Sequence, residues 1–242
     1  MKILVFCCDW CSYPGADLAG ILRLEYPPEV RIIKVMCSGR VDPMLVLDAL
    51  RQGIDGVMVT GCHPGECHYV HGNMEAERRI ELLRSIFERS GINPRRVRIE
   101  WISASEGEKF AEVTRAFKQE IDEIGPINQG EIDAAEIIHD VFSSERARLV
   151  LGASRRAIEL EGVDPLWYKG VLERTVREEV LRERILRELR KSGALSAHEL
   201  AERIGEPAKE IFWNLIAMKR RQIILDMGIV DDSLKFAIQE GV

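Results

Sequence analysis

The chain has 242 residues, of which 46% are hydrophobic and 31% charged, and a formal net charge of -6. That length supports a sizeable core and one or two domains, the composition is that of an ordinary globular protein, and the acidic balance argues against nucleic acid as the main partner. The N-terminal apolar stretch Ile3 to Phe6 is too short for a signal-peptide core or a bilayer span, so a cytoplasmic protein with no membrane partner is expected.

Three apolar runs open the chain, Lys2 to Phe6, Val30 to Met36 and Gly56 to Thr60, and stretches of helical spacing separate them. This is βαβαβ, which predicts a parallel sheet with right-handed crossovers. Asn73 to Ser90 reads as a helix with Ile80, Leu83 and Phe87 on one stripe and Glu75, Glu77, Arg78 and Arg79 largely outside it. Asn73 is its expected N-cap and Gly91 its end. Val97 to Ile102 alternates as a fourth strand, and Ser105 is the expected cap of a helix ending near Ile124, before the break at Gly125-Pro126. The expected fold class is α/β: a small open parallel sheet of about four strands, Rossmann- or flavodoxin-like, with helices on both faces, over residues 1–125.

Strand signals then stop. Residues 126–172 read as a helical connector, with Ile137, Val141, Leu149, Leu151 and Ile158 as inward candidates and Gly162 to Pro165 as a turn. Residues 173–242 begin with a charged helix ending near Ser192-Gly193. Ser196 then caps Ala197 to Ile204, a turn at Gly205-Glu206-Pro207 leads to Ala208 to Arg220, and Ile223 to Val230 reads as a short hairpin. That order is winged-helix-like. Its second helix offers Lys209, Asn214, Lys219 and Arg220, with Arg221 following, but also Ile211, Phe212, Trp213, Leu215 and Ile216. From Val171 to Val242 there are 13 Lys+Arg against 13 Asp+Glu, where DNA readers carry a basic excess. Protein docking is therefore expected of this module ahead of DNA binding.

All six cysteines, Cys7, Cys8, Cys11, Cys37, Cys62 and Cys67, lie near the ends of the first three strands. In a parallel sheet the carboxyl ends form one rim where ligands bind. Cys8, Cys11, Cys37, Cys62 and Cys67 should converge there, while Cys7, its side chain opposed to that of Cys8, reads as simply buried. Where thiols stay reduced, such a set points to metal or redox chemistry. A [2Fe-2S] or [4Fe-4S] cluster, a structural zinc, and a dithiol pair at Cys8/Cys11 all fit the spacing, with the cluster leading. Four ligands suffice, so one of the five is a spare, an alternate ligand or a redox partner.

Three of the five histidines, His63, His68 and His71, share the third loop, where plain surface positions are expected first, a supporting or proton-handling role for His63 or His68 next, and ligation last. Trp10 and Tyr13 flank the first cysteine pair, where plain packing at the sheet rim is expected ahead of shielding the centre. Arg40 is a candidate cation beside the centre and a local ion-pair partner for Asp42, and Asp42-Pro43 reads as a helix start. No Gly-x-Gly-x-x-Gly follows the first strand, and no Walker motif or His-Glu-x-x-His occurs, which leaves electron relay as the available chemistry.

Four segments carry a resemblance: Cys8-Asp-Trp-Cys-Ser-Tyr-Pro-Gly-Ala-Asp-Leu-Ala-Gly20, Tyr26 to Ile33, Met36-Cys-Ser-Gly-Arg-Val-Asp-Pro43, and Gly61-Cys-His-Pro-Gly-Glu-Cys-His-Tyr69 with Gly72-Asn73. Here the chain resembles the iron-sulfur delta subunit of methyl-viologen-reducing, heterodisulfide-reductase-associated hydrogenases. The resemblance implies a non-catalytic electron-transfer subunit with one [2Fe-2S] cluster, held by four of Cys8, Cys11, Cys37, Cys62 and Cys67. It implies relay from a hydrogenase, formate dehydrogenase or folate-linked reductase to the flavin subunit of a heterodisulfide-reductase-like complex. It does not extend to residues 126–242. The contrasting expectation is an iron-sulfur redox-sensing regulator that binds DNA through its C-terminal winged helix.

Overall fold

In the computed structural model, which describes residues 1–239, the chain packs as two units, Met1–Ser143 and Ser144–Val242. Four parallel strands, β1 (Ile3–Cys8), β2 (Val30–Val35), β3 (Gly56–Gly61) and β4 (Val97–Trp101), stand in the order β2-β1-β3-β4. The order reverses between β1 and β3, so a crevice opens at their carboxyl ends. Helices α1 (Ser12–Ile21), α2 (Pro43–Arg51), α3 (Gly72–Ser90) and α4 (Gly107–Ile124) connect and flank them. The α/β expectation holds.

The local choices follow from the residues. β3 is buried along its whole length, as a central parallel strand covered on both faces must be. On one face Ile3, Val5, Cys7 and Met58 pack under Phe110, Val113, Phe117 and Ile121 of α4 and Ala16 and Ala19 of α1. Asp42 caps α2 through its carboxylate, which accepts from Met44 N at 3.0 Å, with Pro43 in the first turn. Gly91, at φ +79°, ends α3 in the left-handed conformation that a glycine adopts without cost.

Two caps fall elsewhere than expected. Asn73 lies inside the first turn of α3, whose N-cap position is His71. α4 begins after Glu106 and not at Ser105, because the Glu106 carboxylate turns back to accept from Ser103 N at 2.6 Å while Ser105 Oγ pairs with Ser103 Oγ. β1 also runs two residues further than Phe6 and takes in Cys7 and Cys8.

Helix α5 (Gln129–Ser143) belongs to the first unit and packs on α2. It buries Ala135, Ile138, Val141 and Phe142, while Ile137 is only half-buried. In the second unit α6 (Glu145–Arg155) runs into a π-helical turn, Arg156–Leu160, before α7 (Pro165–Ser192). Leu149 there is 69% exposed and not inward. After β5 (Leu195–Ser196), Ser196 and Glu199 form a reciprocal capping box on α8 (Ala197–Ile204), followed by α9 (Ala208–Arg220). The hairpin is β6 (Ile224–Val230) with β7 (Ser233–Ile238), turning at Asp231-Asp232, so Ile223 to Val230 supplies one strand of it and not both. These strands make an antiparallel sheet in the order β5-β7-β6, closed over Ile185, Leu200, Ile211, Leu215, Met218 and Phe236.

Candidate metal centre

Cys8 ends β1 and Cys11 precedes α1, Cys37 follows β2, and Cys62 and Cys67 lie on the loop after β3. The sheet therefore draws together residues 59 positions apart: all five thiols are buried and form one cluster at the carboxyl rim. Cys8 Sγ lies 4.0 Å from Cys62 Sγ, and Cys37 Sγ lies 4.0 Å from Cys67 Sγ. Thiolates sharing one tetrahedral metal at about 2.3 Å stand about 3.8 Å apart, so each pair has nearly the bite of a single ion. Cys11 joins Cys8 and Cys62 in a group whose sulfurs all lie within 4.8 Å. Cys7 sits apart in the hydrophobic core beneath α1 and α4, and burial pushes its thiol up to about 11.

The electrostatics suit a cationic core. The Cys11 thiol donates to Cys8, which holds Cys8 down at about 6, and Cys11 is raised by the same bond. Burial pushes Cys37 up to about 11 and raises Cys62 as well. Several thiolates cannot coexist in this space without positive charge among them, and metal binding supplies it while releasing protons. The backbone also leaves room: a Cβ on Gly72 would stand 2.2 Å from Cys37 Sγ, so a bare Cα lets the start of α3 lie against that sulfur. A cysteine-ligated cluster fits this donor set.

The supporting contacts come from residues whose part was not legible in sequence. Asn73, almost wholly buried, donates through Nδ2 to the carbonyls of Cys62 at 3.1 Å and His63 at 2.9 Å, tying the third cysteine loop to α3. Arg79, which the stripe placed outside the packed face, donates to Gly39 O at 2.7 Å and ties down the Cys37 loop. Gly39 itself abuts Gly72, where a Cβ would stand 2.7 Å from the Gly72 carbonyl oxygen.

The loop histidines divide. His63 Nε2 pairs with the Glu106 carboxylate at 2.7 Å, and hydrogen bonds from Ser103 N and His63 hold Glu106 down at about 2. His68 stacks on Trp10 at 3.6 Å, and Trp10 Nε1 donates to Tyr69 Oη at 3.2 Å. Trp10 is 48% exposed, so with His68 and Tyr69 it forms a plate at the mouth of a cleft of about 280 Å³ lined by Cys11, Cys62, Glu66 and Ser103. Tyr13 packs against the core instead, with Lys34 Nζ 5.0 Å from its ring. Arg40 is exposed beside Cys37.

A small parallel α/β domain with a buried thiol cluster at its switch point, in a chain whose sequence has no phosphate-binding glycine loop, is the class that fold and site define. The family described as methyl-viologen-reducing hydrogenase, delta subunit, matches residues 3–125, and the chain belongs to that family, as the four segments led one to expect. The iron-sulfur subunit of an F420-non-reducing hydrogenase from Archaeoglobus profundus is 52% identical over 125 residues, covering 52% of this chain and 91% of that one. The vhc iron-sulfur subunit of an F420-non-reducing hydrogenase from Methanococcus voltae is 50% identical over 136 residues, 54% of this chain and 94% of its own. A polypeptide of the ferredoxin/F(420)H(2)-dependent CoB-CoM heterodisulfide reductase from Methanosarcina acetivorans is 50% identical over 125 residues. There the match takes in 52% of this chain but only 16% of that much longer protein.

Proposed function

We propose that the protein is a non-catalytic electron-transfer subunit whose first unit holds one [2Fe-2S] cluster. The observation that carries this reading is the buried set of five thiols at the switch point, with two pairs each at 4.0 Å. Bound there, the cluster supplies a one-electron carrier. Cys8 with Cys62 and Cys37 with Cys67 are the four ligands, and Cys11 is the fifth, non-ligating thiol. Asn73, Arg79 and Gly72 hold the three loops in register, and the Trp10–His68 stack limits water at the mouth.

The relatives support a relay role. Some are named as hydrogenase iron-sulfur subunits, and in another the matching segment is part of a heterodisulfide reductase polypeptide. In this reading the acceptor is the flavin subunit of a heterodisulfide-reductase-like complex, and the donor a hydrogenase, formate dehydrogenase or folate-linked reductase. Residues 1–125 carry the relay, with α5 completing their packed unit to Ser143, and residues 173–242 are a winged-helix-like module that docks protein; residues 240–242 lie outside the described ones. In the cytoplasm reduced thiols remain available for such a centre, and among the described residues no helix is long and apolar enough to cross a membrane.

Anaerobically purified protein should contain two irons and two acid-labile sulfides and give an S = 1/2 EPR signal on reduction. Cys37→Ser and Cys62→Ser should abolish that signal, whereas Cys7→Ser and Cys11→Ser should keep both irons. A colourless protein with one zinc, or with no metal, would overturn the reading. An iron-free Cys11→Ser protein would overturn only the ligand choice.

A further inference from the structure

Two buried serines border the thiol cluster, and their hydroxyls are used differently. Ser12 Oγ is fully engaged: it accepts from Cys8 N at 2.8 Å and donates to Thr60 O at 3.1 Å. Ser38 is 1% exposed, yet its Oγ has no hydrogen-bond partner among the described residues. It follows Cys37 directly, in the short 3-10 turn Ser38–Arg40, and lies against the end of β3: a Cβ on Gly61 would stand 2.6 Å from Ser38 Oγ, one residue before Cys62. The backbone N–H of Ser38 meanwhile bonds the Cys8 sulfur. Ser38 thus follows Cys37 in the chain, bonds Cys8 through its backbone and packs its side chain on the residue before Cys62, and a buried hydroxyl in that position is costly unless something accepts from it.

We infer that Ser38 Oγ–H is a hydrogen-bond donor to a sulfur of the iron-sulfur centre and sets its reduction potential. The inference rests on the cluster reading above. Sulfur atoms of a cluster are weak acceptors that gain charge on reduction, so a donor stabilises the reduced state more than the oxidised one. The hydroxyl would raise the midpoint potential, while Arg79 and Asn73 merely hold the loops. The resemblance by itself pointed only to the cysteines; the unsatisfied Oγ is visible only once the strands are assembled.

The full-length wild type, Ser38→Ala and Ser38→Gly would be compared by iron and sulfide content, redox titration, and proton ENDOR of the reduced centre in H2O and D2O. Retention of both irons, a shift of the midpoint to more negative potential, and loss of one strongly coupled exchangeable proton in both variants are expected. An unchanged midpoint with that proton still present would overturn the inference and leave the cluster reading standing. Loss of iron from both variants, with native far-UV circular dichroism, would also overturn it, since Ser38 would then be needed for assembly and not for tuning. An iron-free wild type would remove the cluster reading itself.

Discussion

Arg96 is 1% exposed, and every contact of its guanidinium is inside the protein. It forks onto Glu131 at 2.7 and 2.8 Å and donates to the carbonyls of Asp55, Gly125 and Pro126. Burial raises the Glu131 carboxyl, but bonds from Arg96, Asn93 N and Asn128 N outweigh it and leave the group below its usual range. A depressed carboxyl stabilises the fold fully above its unfolded value of about 4.3, and that contribution is lost as pH falls through the folded value. Arg96→Met should cost about 3–5 kcal/mol in urea unfolding at neutral pH, because it strands a buried carboxylate, and adding Glu131→Leu should restore most of that. Val70 is a second informative residue: a β-branched side chain, 67% exposed, held at φ +69° with His71 N bonded to Tyr69 O at 2.8 Å. Positive φ is strained for such a residue, so Val70→Gly should stabilise the protein by about 1 kcal/mol in the same assay.

Among the elements, α3 reaches furthest into the site. Its 19 residues begin against Cys37 Sγ, and Asn73 and Arg79 bind two different cysteine loops from that one helix. Gly72→Ala should therefore lose most of its iron while keeping native far-UV circular dichroism, because the new methyl displaces Cys37 and not the helix. The periodicity of Ile80, Leu83 and Phe87 made α3 legible as an amphipathic helix, since burial of one stripe is a local signal. It could not reveal what Asn73 does, because Asn73 bonds carbonyls 10 and 11 residues away and its position beside a helix start looks like an ordinary cap. A similar limit applies to α9. Its Asn214 could be counted as a base-reading side chain, but the fold buries it, accepting from Arg182 Nε at 3.0 Å and donating to Glu210 O at 2.9 Å.

At the scale of the whole molecule, the family match ends at residue 125 while the first packed unit runs to Ser143. The reason is chemical: α5 brings Glu131 to Arg96 and buries Phe142 in the same unit, and Ile127 N donates to Asp55 at 2.9 Å. A fragment of residues 1–143 should unfold cooperatively and take up iron as the full chain does. One of residues 1–125 should unfold at markedly lower urea, because Arg96 is left buried without its carboxylate, a loss of about 3–5 kcal/mol.

By itself the sequence determined the strand and helix alternation, the parallel sheet and the five cysteines that would meet, because hydrophobic period and the geometry of parallel crossovers are properties of short stretches. Only the tertiary structure decided which thiols pair at 4.0 Å, that Asn73 and Arg79 hold the loops, and that Ser38, next to the thiol cluster, keeps an unpaired hydroxyl. Those facts depend on distances between residues far apart in the chain, which are set by how helices seat on a sheet and carry no local pattern to read.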